Sequence, residues 1–489
     1  MDKILLTQHG KWLPADVQTT ISLYMGLVGD QPGILLESAE VDGRLGRYSL
    51  IAFDYRLMLH PVDGKLVVDT ADERLSPLKE LTGMDYLPGV KKAVEMLSIE
   101  QQTEGGASTA IGRDGLPGLT RGLYGYFGYG VAGMFERKLT EACPPAEAEA
   151  CLVLPGQMVL FDHLRHSCCY LSLDEGATPM PAPVQWGADL TAPEAGTPTV
   201  HPGKEKYMAG VERCKELIAE GECIQVVLST RFTVPVPDDP FRIYRRLRQA
   251  NPSPFMFYMK FPDCPSMGKT CGTTLLGSSP EMMVRSAAGQ LEVRPIAGTR
   301  WRGETEKEDL RLENELLADP KERAEHVMLV DLGRNDLGRI SKPGTVTVEK
   351  FMNVERFSHV MHLTSYVEGK LKDDLDGVDV LQATFPAGTL SGAPKIRAME
   401  IIADLEPQSR GPYGGCIGWM GLDDGEVNLD TGITIRSMWI RDGVCHWQAG
   451  AGIVYDSDAE SEWNECHNKA RVLLEVITGK GDTDVFADR

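Results

Sequence analysis

Apolar and polar positions along this chain follow two periods, and the changes between them mark out its elements. Short apolar or alternating runs read as strands: ILLES (34–38), GRYSLIAF (46–53), CIQVVLSTRFTVPV (223–236) and the stretch leading to Arg436 in ITIRSMWI (433–440). Helical spacing governs KEKYMAGVERCKELIAEGE (204–222), which stops at Gly221, and the basic FRIYRRLRQA (241–250). Both periods meet in 294–340. A β-type run (Leu291, Val293, Ile296) breaks at Ala297-Gly298-Thr299. After a charged connector the pattern becomes helical, with Leu316/Leu317, Val327/Met328 and Leu332 on one stripe. Glu322 and Glu325, three residues apart in that helix, share a face. Glu462 and Glu465 repeat the spacing in SDAESEWNECHNKA (457–470).

Two such faces would supply the hard oxygen ligands that Mg²⁺ prefers and leave room for water and substrate. The spacing is common, so the rest of the chain must support it. RGLYGYFGYGVAGMFE (121–136) lacks GxGxxG and a strand-to-helix context, so it reads as packed backbone that glycine permits. DCPSMGKT (263–270) ends like a phosphate loop but lacks its first glycine. His359 and His362 have metal-pair spacing, which more commonly means one core or capping histidine beside an exposed one. FPAGTLSGAPKIRAMEII (385–402) runs from a loop into a helix, whose free N–H groups and dipole suit a carboxylate. Hairpin signals fall near 421–425, and Gly450 and Gly452 in QAGAGIVYDSD let backbone approach a ligand.

A chain of 489 residues is long enough for two or three domains. The Pro-, Ala-, Gly- and Thr-rich stretch from Leu173 to Pro202 is the best linker, dividing the chain into 1–200 and 201–489. A formal charge of −21 argues against nucleic acid and anionic membrane as partners. MDKILLTQHG has no apolar core for a signal peptide, and no apolar run reaches membrane-spanning length. The 11 scattered cysteines, without CxxC, argue against a disulfide framework or zinc site and fit a reducing cytoplasm. Two acidic faces, a few cationic side chains, a histidine and glycine-rich loops suit Mg²⁺-assisted chemistry on a small carboxylated molecule.

Residues 203–479 closely resemble the chorismate-utilising enzymes, and the whole chain resembles their anthranilate synthase component I branch. The matching pieces are IQVVLSTRF, GSSPE, RPIAGTRWRG, KERAEHVMLVDLGRNDLGRI, FSHVMHL, FPAGTLSGAPK, PYGG, ITIRS, AGAGIVYDSDAESEWNE and NK, in one order. The resemblance implies an α/β (α+β) fold: a large, mostly antiparallel β-sandwich flanked by helices, with the site in a cleft. By the same resemblance Glu325 and Glu465 would bind Mg²⁺ directly, with Glu322 and Glu462 acting through its waters. Glu281 would be the general acid for a departing hydroxyl. Arg436 and Tyr413 would contact substrate, and Gly450, Ala451 and Gly452 with Lys469 would hold a side-chain carboxylate. Gly298, Thr299 and Thr389 would line the site, and His362 would serve the second step.

Two positions separate the branches. Water-adding relatives carry a lysine at the place of Gln225, and aminodeoxychorismate-forming ones generally carry a lysine at the place of Ala297. With neither amine present, free ammonia is the attacker, which points to the branch making anthranilate and pyruvate from chorismate. That reaction opens tryptophan biosynthesis. LLESAE with NPSPFMF resembles a tryptophan feedback site joining Glu37 and Ser38 to Pro254, Phe255 and Met256, with phenylalanine where tyrosine is frequent. No glutamine-amidotransferase signature is present, so ammonia from glutamine would come from a separate amidotransferase subunit. The alternatives are an enzyme stopping at aminodeoxyisochorismate, an aminodeoxychorismate synthase, and a catalytically silent tryptophan-sensing scaffold.

Overall fold

The computed structural model describes residues 3–38, 46–104, 115–176, 190–193, 195–263, 272–356 and 360–479. Among them, 22 strands join into one hydrogen-bonded sheet system. Every ladder is antiparallel except that of Ile4–Pro14 with Leu97–Glu104.

Strand periodicity explains how this system encloses its cores. In strand Phe255–Lys260, Phe257 and Met259 point into one core with Ile34, Leu50 and Leu275. Met256 and Tyr258 point into a second with Leu35, Ile51 and Leu276. Strands Gly122–Phe127 and Cys416–Gly421 and helix Tyr86–Met96 also enter the first core. Helices Thr20–Leu27, Pro240–Ala250 and Ala459–Thr478 cover the second. A third core lies where helices Lys204–Ala219, Lys395–Leu405 and Ala459–Thr478 pack on strands Gln225–Pro235 and Val444–Ile453. The expected mostly antiparallel, helix-flanked architecture is therefore observed.

Residues on either side of position 200 share this sheet. Strand Gly33–Glu37 pairs with Phe255–Lys260, and Gly122–Phe127 pairs with Cys416–Gly421. Thr199–His201, at the end of the linker-like stretch, is itself a strand paired with Gln225–Pro235. The glycine-rich 121–136 stretch is packed backbone: a Cβ at Gly125 would lie 1.8 Å from the Cys151 carbonyl oxygen.

Two local expectations are corrected. The interruption at 297–299 is a bulge within strand Ile296–Trp301, where Gly298 takes φ +66°. The helical stretch after it is two helices, Glu306–Ala318 and Pro320–Ile340, because Pro320 cannot donate an N–H and Asp319 caps the second. His359 and most of the 263–274 loop lie outside the described residues.

Candidate functional site

The site is built between two helices and the strands they pack on. Asp319 accepts from the N–H groups of Lys321 (2.9 Å) and Glu322 (3.2 Å), fixing the start of helix Pro320–Ile340. From there 3.6-residue spacing buries His326, Leu329 and Val330 while Glu322 and Glu325 stay half-exposed. Helix Ala459–Thr478 carries Glu462, half-exposed, and Glu465, exposed. Burial, then the charges of Glu322 and Glu465, raise the Glu325 carboxyl above its usual range. Burial is also the main cause raising Glu462. Each face meets a cation: Arg300 lies 3.1 Å from Glu322, and Lys469 lies 2.7 Å from Glu465.

The carboxylates of the two helices are of the donor type and negative charge that Mg²⁺ requires. Among the described residues, no three His, Cys, Asp or Glu side chains are gathered closely enough to hold a metal ion. The residues match the ion in chemical type but are not gathered around one point, with Glu322 paired to Arg300 and Glu465 to Lys469.

Across the cleft Glu281 follows Ser279-Pro280 at a strand end. Its carboxylate accepts a 2.9 Å hydrogen bond from Thr389, and its carbonyl accepts from the Ile433 N–H at 2.9 Å. Burial pushes its pKa up to about 7 against the opposing pull of Thr389, Lys469 and Arg436. This carboxyl therefore keeps a substantial protonated fraction near neutrality. Glu281 and Thr389 line a small cavity with Arg294, Leu332, Asp336 and Ile433. Arg436, at φ +47°, is half-buried, and burial is the main cause lowering its pKa.

His362 lies on strand Val360–Lys370, opposite the bulge. Its Nδ1 is 3.0 Å from the Gly298 carbonyl oxygen and 3.1 Å from Thr299 Oγ1. A carbonyl only accepts, so Nδ1 carries the proton and Nε2 the lone pair. Burial lowers the pKa of this imidazole, which keeps it neutral. A Cβ at Gly298 would lie 3.0 Å from Leu316 Cδ1 and 3.2 Å from Glu322 Oε2, so the bulge also sits against the acidic helix.

Strand Val444–Ile453 forms the remaining wall. Gly450 and Gly452 share a face: Cβ atoms there would lie 3.0 Å from the Tyr413 hydroxyl and 2.4 Å from Gln225 Nε2 respectively. Ala451 turns its side chain into the third core and offers the site only backbone. Lys469 donates to the Gly450 carbonyl at 3.0 Å. Gln225 and Ala297 are both buried.

The proposed feedback residues lie elsewhere on the sheet. Met256 is the cross-strand partner of Glu37. The Glu37 carboxylate already accepts from Tyr244 (2.7 Å), Arg248 (2.8 Å) and Thr20, while the buried Ser38 hydroxyl has no hydrogen-bond partner among the described residues. Pro254 is buried and Phe255 half-buried. Arg300, and Lys395 paired with Asp336 at 2.9 Å, are site neighbours that sequence spacing did not single out, because their partners lie on other elements.

A family model for chorismate binding enzymes matches residues 85–475. The chain belongs to the chorismate-binding enzymes. Within that family it is 40% identical to anthranilate synthase component 1 of Streptomyces coelicolor, over 96% of this chain and 88% of that one. The crystal structure of anthranilate synthase component I from Streptococcus pneumoniae is similar, with 31% identity, a TM-score of 0.71, and 94% and 98% of the two chains covered. The menaquinone-specific isochorismate synthase of Escherichia coli, at 20% identity and a TM-score of 0.66 over 97% and 95% of the chains, shares the fold alone. This chorismate-binding chain thus groups with anthranilate synthase component I along nearly its whole length.

Proposed function

We propose that this chain is the aminating subunit of an Mg²⁺-dependent, tryptophan-inhibited anthranilate synthase. It would draw ammonia from a separate glutamine amidotransferase subunit. The observation that carries this reading is Glu281, a carboxyl pushed up to about 7 and hydrogen-bonded to Thr389, facing two glutamate-bearing helices. Bound Mg²⁺, on Glu325 and Glu465 with Glu322 and Glu462 behind its waters, would supply positive charge for the ring carboxylate of chorismate.

The protein's own groups account for the rest. Arg436, Tyr413, Lys469 and the Gly450–Gly452 backbone bind and orient the substrate. Ammonia forms a bond to C2 of the ring as the C4–oxygen bond breaks, and Glu281 gives its proton to the departing hydroxyl, which leaves as water. His362, with its lone pair on Nε2, then takes the C2 proton. The C3–oxygen bond breaks, the ring becomes aromatic, and the enolpyruvyl group leaves as pyruvate. Atoms balance: chorismate plus ammonia gives anthranilate, pyruvate and water. Gln225 and Ala297 offer no amine to compete with ammonia at C2.

Feedback is supported by the cross-strand pairing of Glu37 with Met256 and by the Ser38 hydroxyl, which has no hydrogen-bond partner among the described residues. The register also gives a route to the site. Phe255 pairs with Ser279, two residues before Glu281, and packs on Gly432, next to the Ile433 N–H that holds the Glu281 carbonyl.

The test is chorismate with Mg²⁺ and ammonium at alkaline pH, following anthranilate fluorescence and pyruvate. Both products together, falling when tryptophan is added, support the reading. Chorismate consumption without pyruvate would reassign the chain to an enzyme stopping at the aminated intermediate. No consumption would favour a silent subunit.

A further inference from the structure

Behind the candidate site lies a buried ion pair that no step above uses. Arg410 is 2% exposed and Glu406 8%. The guanidinium grips the carboxylate through Nε (2.8 Å) and Nη2 (2.6 Å). It also donates to the carbonyls of Leu390 (2.6 Å) and Val227 (2.7 Å). Its face lies 4.6 Å from the Tyr129 ring centroid and 5.6 Å from that of Tyr413. Glu406 in turn accepts from the Ser229 N–H (2.9 Å) and hydroxyl (2.6 Å), and Gln448 donates to that hydroxyl at 2.7 Å.

These bonds reach the backs of three segments whose fronts form the site. Leu390 follows Thr389, which holds Glu281. Val227 and Ser229 are the cross-strand partners of Gly452 and Gly450. Tyr413 lies against the guanidinium and places its hydroxyl beside Gly450. A buried ion pair is costly to desolvate, and an apolar filling of equal volume commonly stabilises as well, so stability alone is a poor reason for it here. A planar guanidinium that satisfies a carboxylate and two carbonyls at once fixes directions that an apolar filling leaves free.

We propose that Arg410, locked by Glu406, is the positioning residue that registers Thr389, Tyr413 and the Gly450–Gly452 backbone against one another on the chorismate site. The inference rests on the functional reading given above. It assigns Arg410 no contact with substrate.

The test compares full-length wild type, Arg410→Lys and Ser229→Ala. Chorismate binding is measured by calorimetry with Mg²⁺ and no ammonia, and turnover is followed against pH at constant free ammonia. Lysine keeps the charge and loses the fork. Arg410→Lys is expected to stay folded, bind chorismate about tenfold more weakly, and lose roughly 30-fold or more in kcat/KM. The alkaline limb of kcat should also move to higher pH, because a loosened Thr389 no longer holds the Glu281 carboxyl down. A purely structural pair would leave that limb in place. Ser229→Ala removes one bond to Glu406 without stranding a charge and should weaken binding by about threefold.

A folded Arg410→Lys with wild-type binding and an unmoved limb overturns the proposal. If Arg410→Lys does not fold, wild-type binding and turnover in Ser229→Ala overturn it instead. A wild type that neither binds nor consumes chorismate overturns the functional reading, and this proposal with it.

Discussion

Single side chains set the chemistry of this site through their surroundings. Glu281 is an ordinary glutamate made into an acid by burial, with Thr389 holding part of that shift back. Glu281→Gln cannot give a proton to the leaving hydroxyl and should lose about 10²–10⁴ in kcat while remaining folded. The same group affects stability. Its folded pKa lies above the unfolded one, so the stability it contributes is present below the unfolded value and is lost as pH rises through about 7. The melting temperature of wild type should therefore fall relative to Glu281→Gln across that window, and parallel curves would contradict the raised pKa. Glu325→Gln should abolish turnover without lowering the melting temperature, since the Glu325 carboxyl already suffers burial and two like charges. Full activity in that variant would remove the metal assignment. Lys469→Ala, which loses the bonds to Gly450 and Glu465, should raise the chorismate KM, as steady-state kinetics will show.

Elements place those side chains at angles and distances that local sequence does not specify. The bulge at Gly298 turns a carbonyl toward His362 Nδ1 and thereby selects the imidazole tautomer. Gly298→Ala would force a side chain into φ +66° and against Leu316 and Glu322. The expected cost is about 1–2 kcal/mol. Displacing the carbonyl should slow pyruvate release more than chorismate consumption. Equal slowing of both, with a normal melting temperature, would show that the bulge does not orient His362. The break between helices Glu306–Ala318 and Pro320–Ile340 acts at the same scale: Asp319 caps the second helix and starts the face that carries Glu322 and Glu325.

At the scale of the molecule, one sheet joins the residues proposed for regulation and those proposed for catalysis. The pairing of Gly33–Glu37 with Phe255–Lys260, and of the latter with Thr274–Ser279, leads from Ser38 to Glu281 across three adjacent strands. A ligand seated at Ser38 inhibits only by binding one arrangement of these strands better than another. Replacing Ser38 with phenylalanine should fill that position and relieve tryptophan inhibition while preserving the uninhibited rate. Undiminished inhibition, measured as tryptophan titration of anthranilate formation, would place the regulatory site elsewhere.

Much of this was open to a reader of the sequence, because it depends on local order. The period-two runs at 34–38 and 223–236, the helix ending at Gly221 and the ExxE faces at 322–325 and 462–465 follow from side-chain spacing along one element. The family resemblance then named candidate residues for the site, since its motifs occur in one order along the chain. Spacing did not reveal that Arg300 would meet Glu322, that Gly298 would sit in a bulge within a strand, or that Arg410 would reach Leu390 and Val227. Those relations join residues from different elements, and they exist only once the sheet has set its register and the helices have packed on it. The chain alone determined which groups are available and on which face of each element they lie. The tertiary structure decided which groups meet, how deeply Glu281 is buried, and hence which carboxyl keeps its proton, because burial and partner distance arise only when separate elements come together.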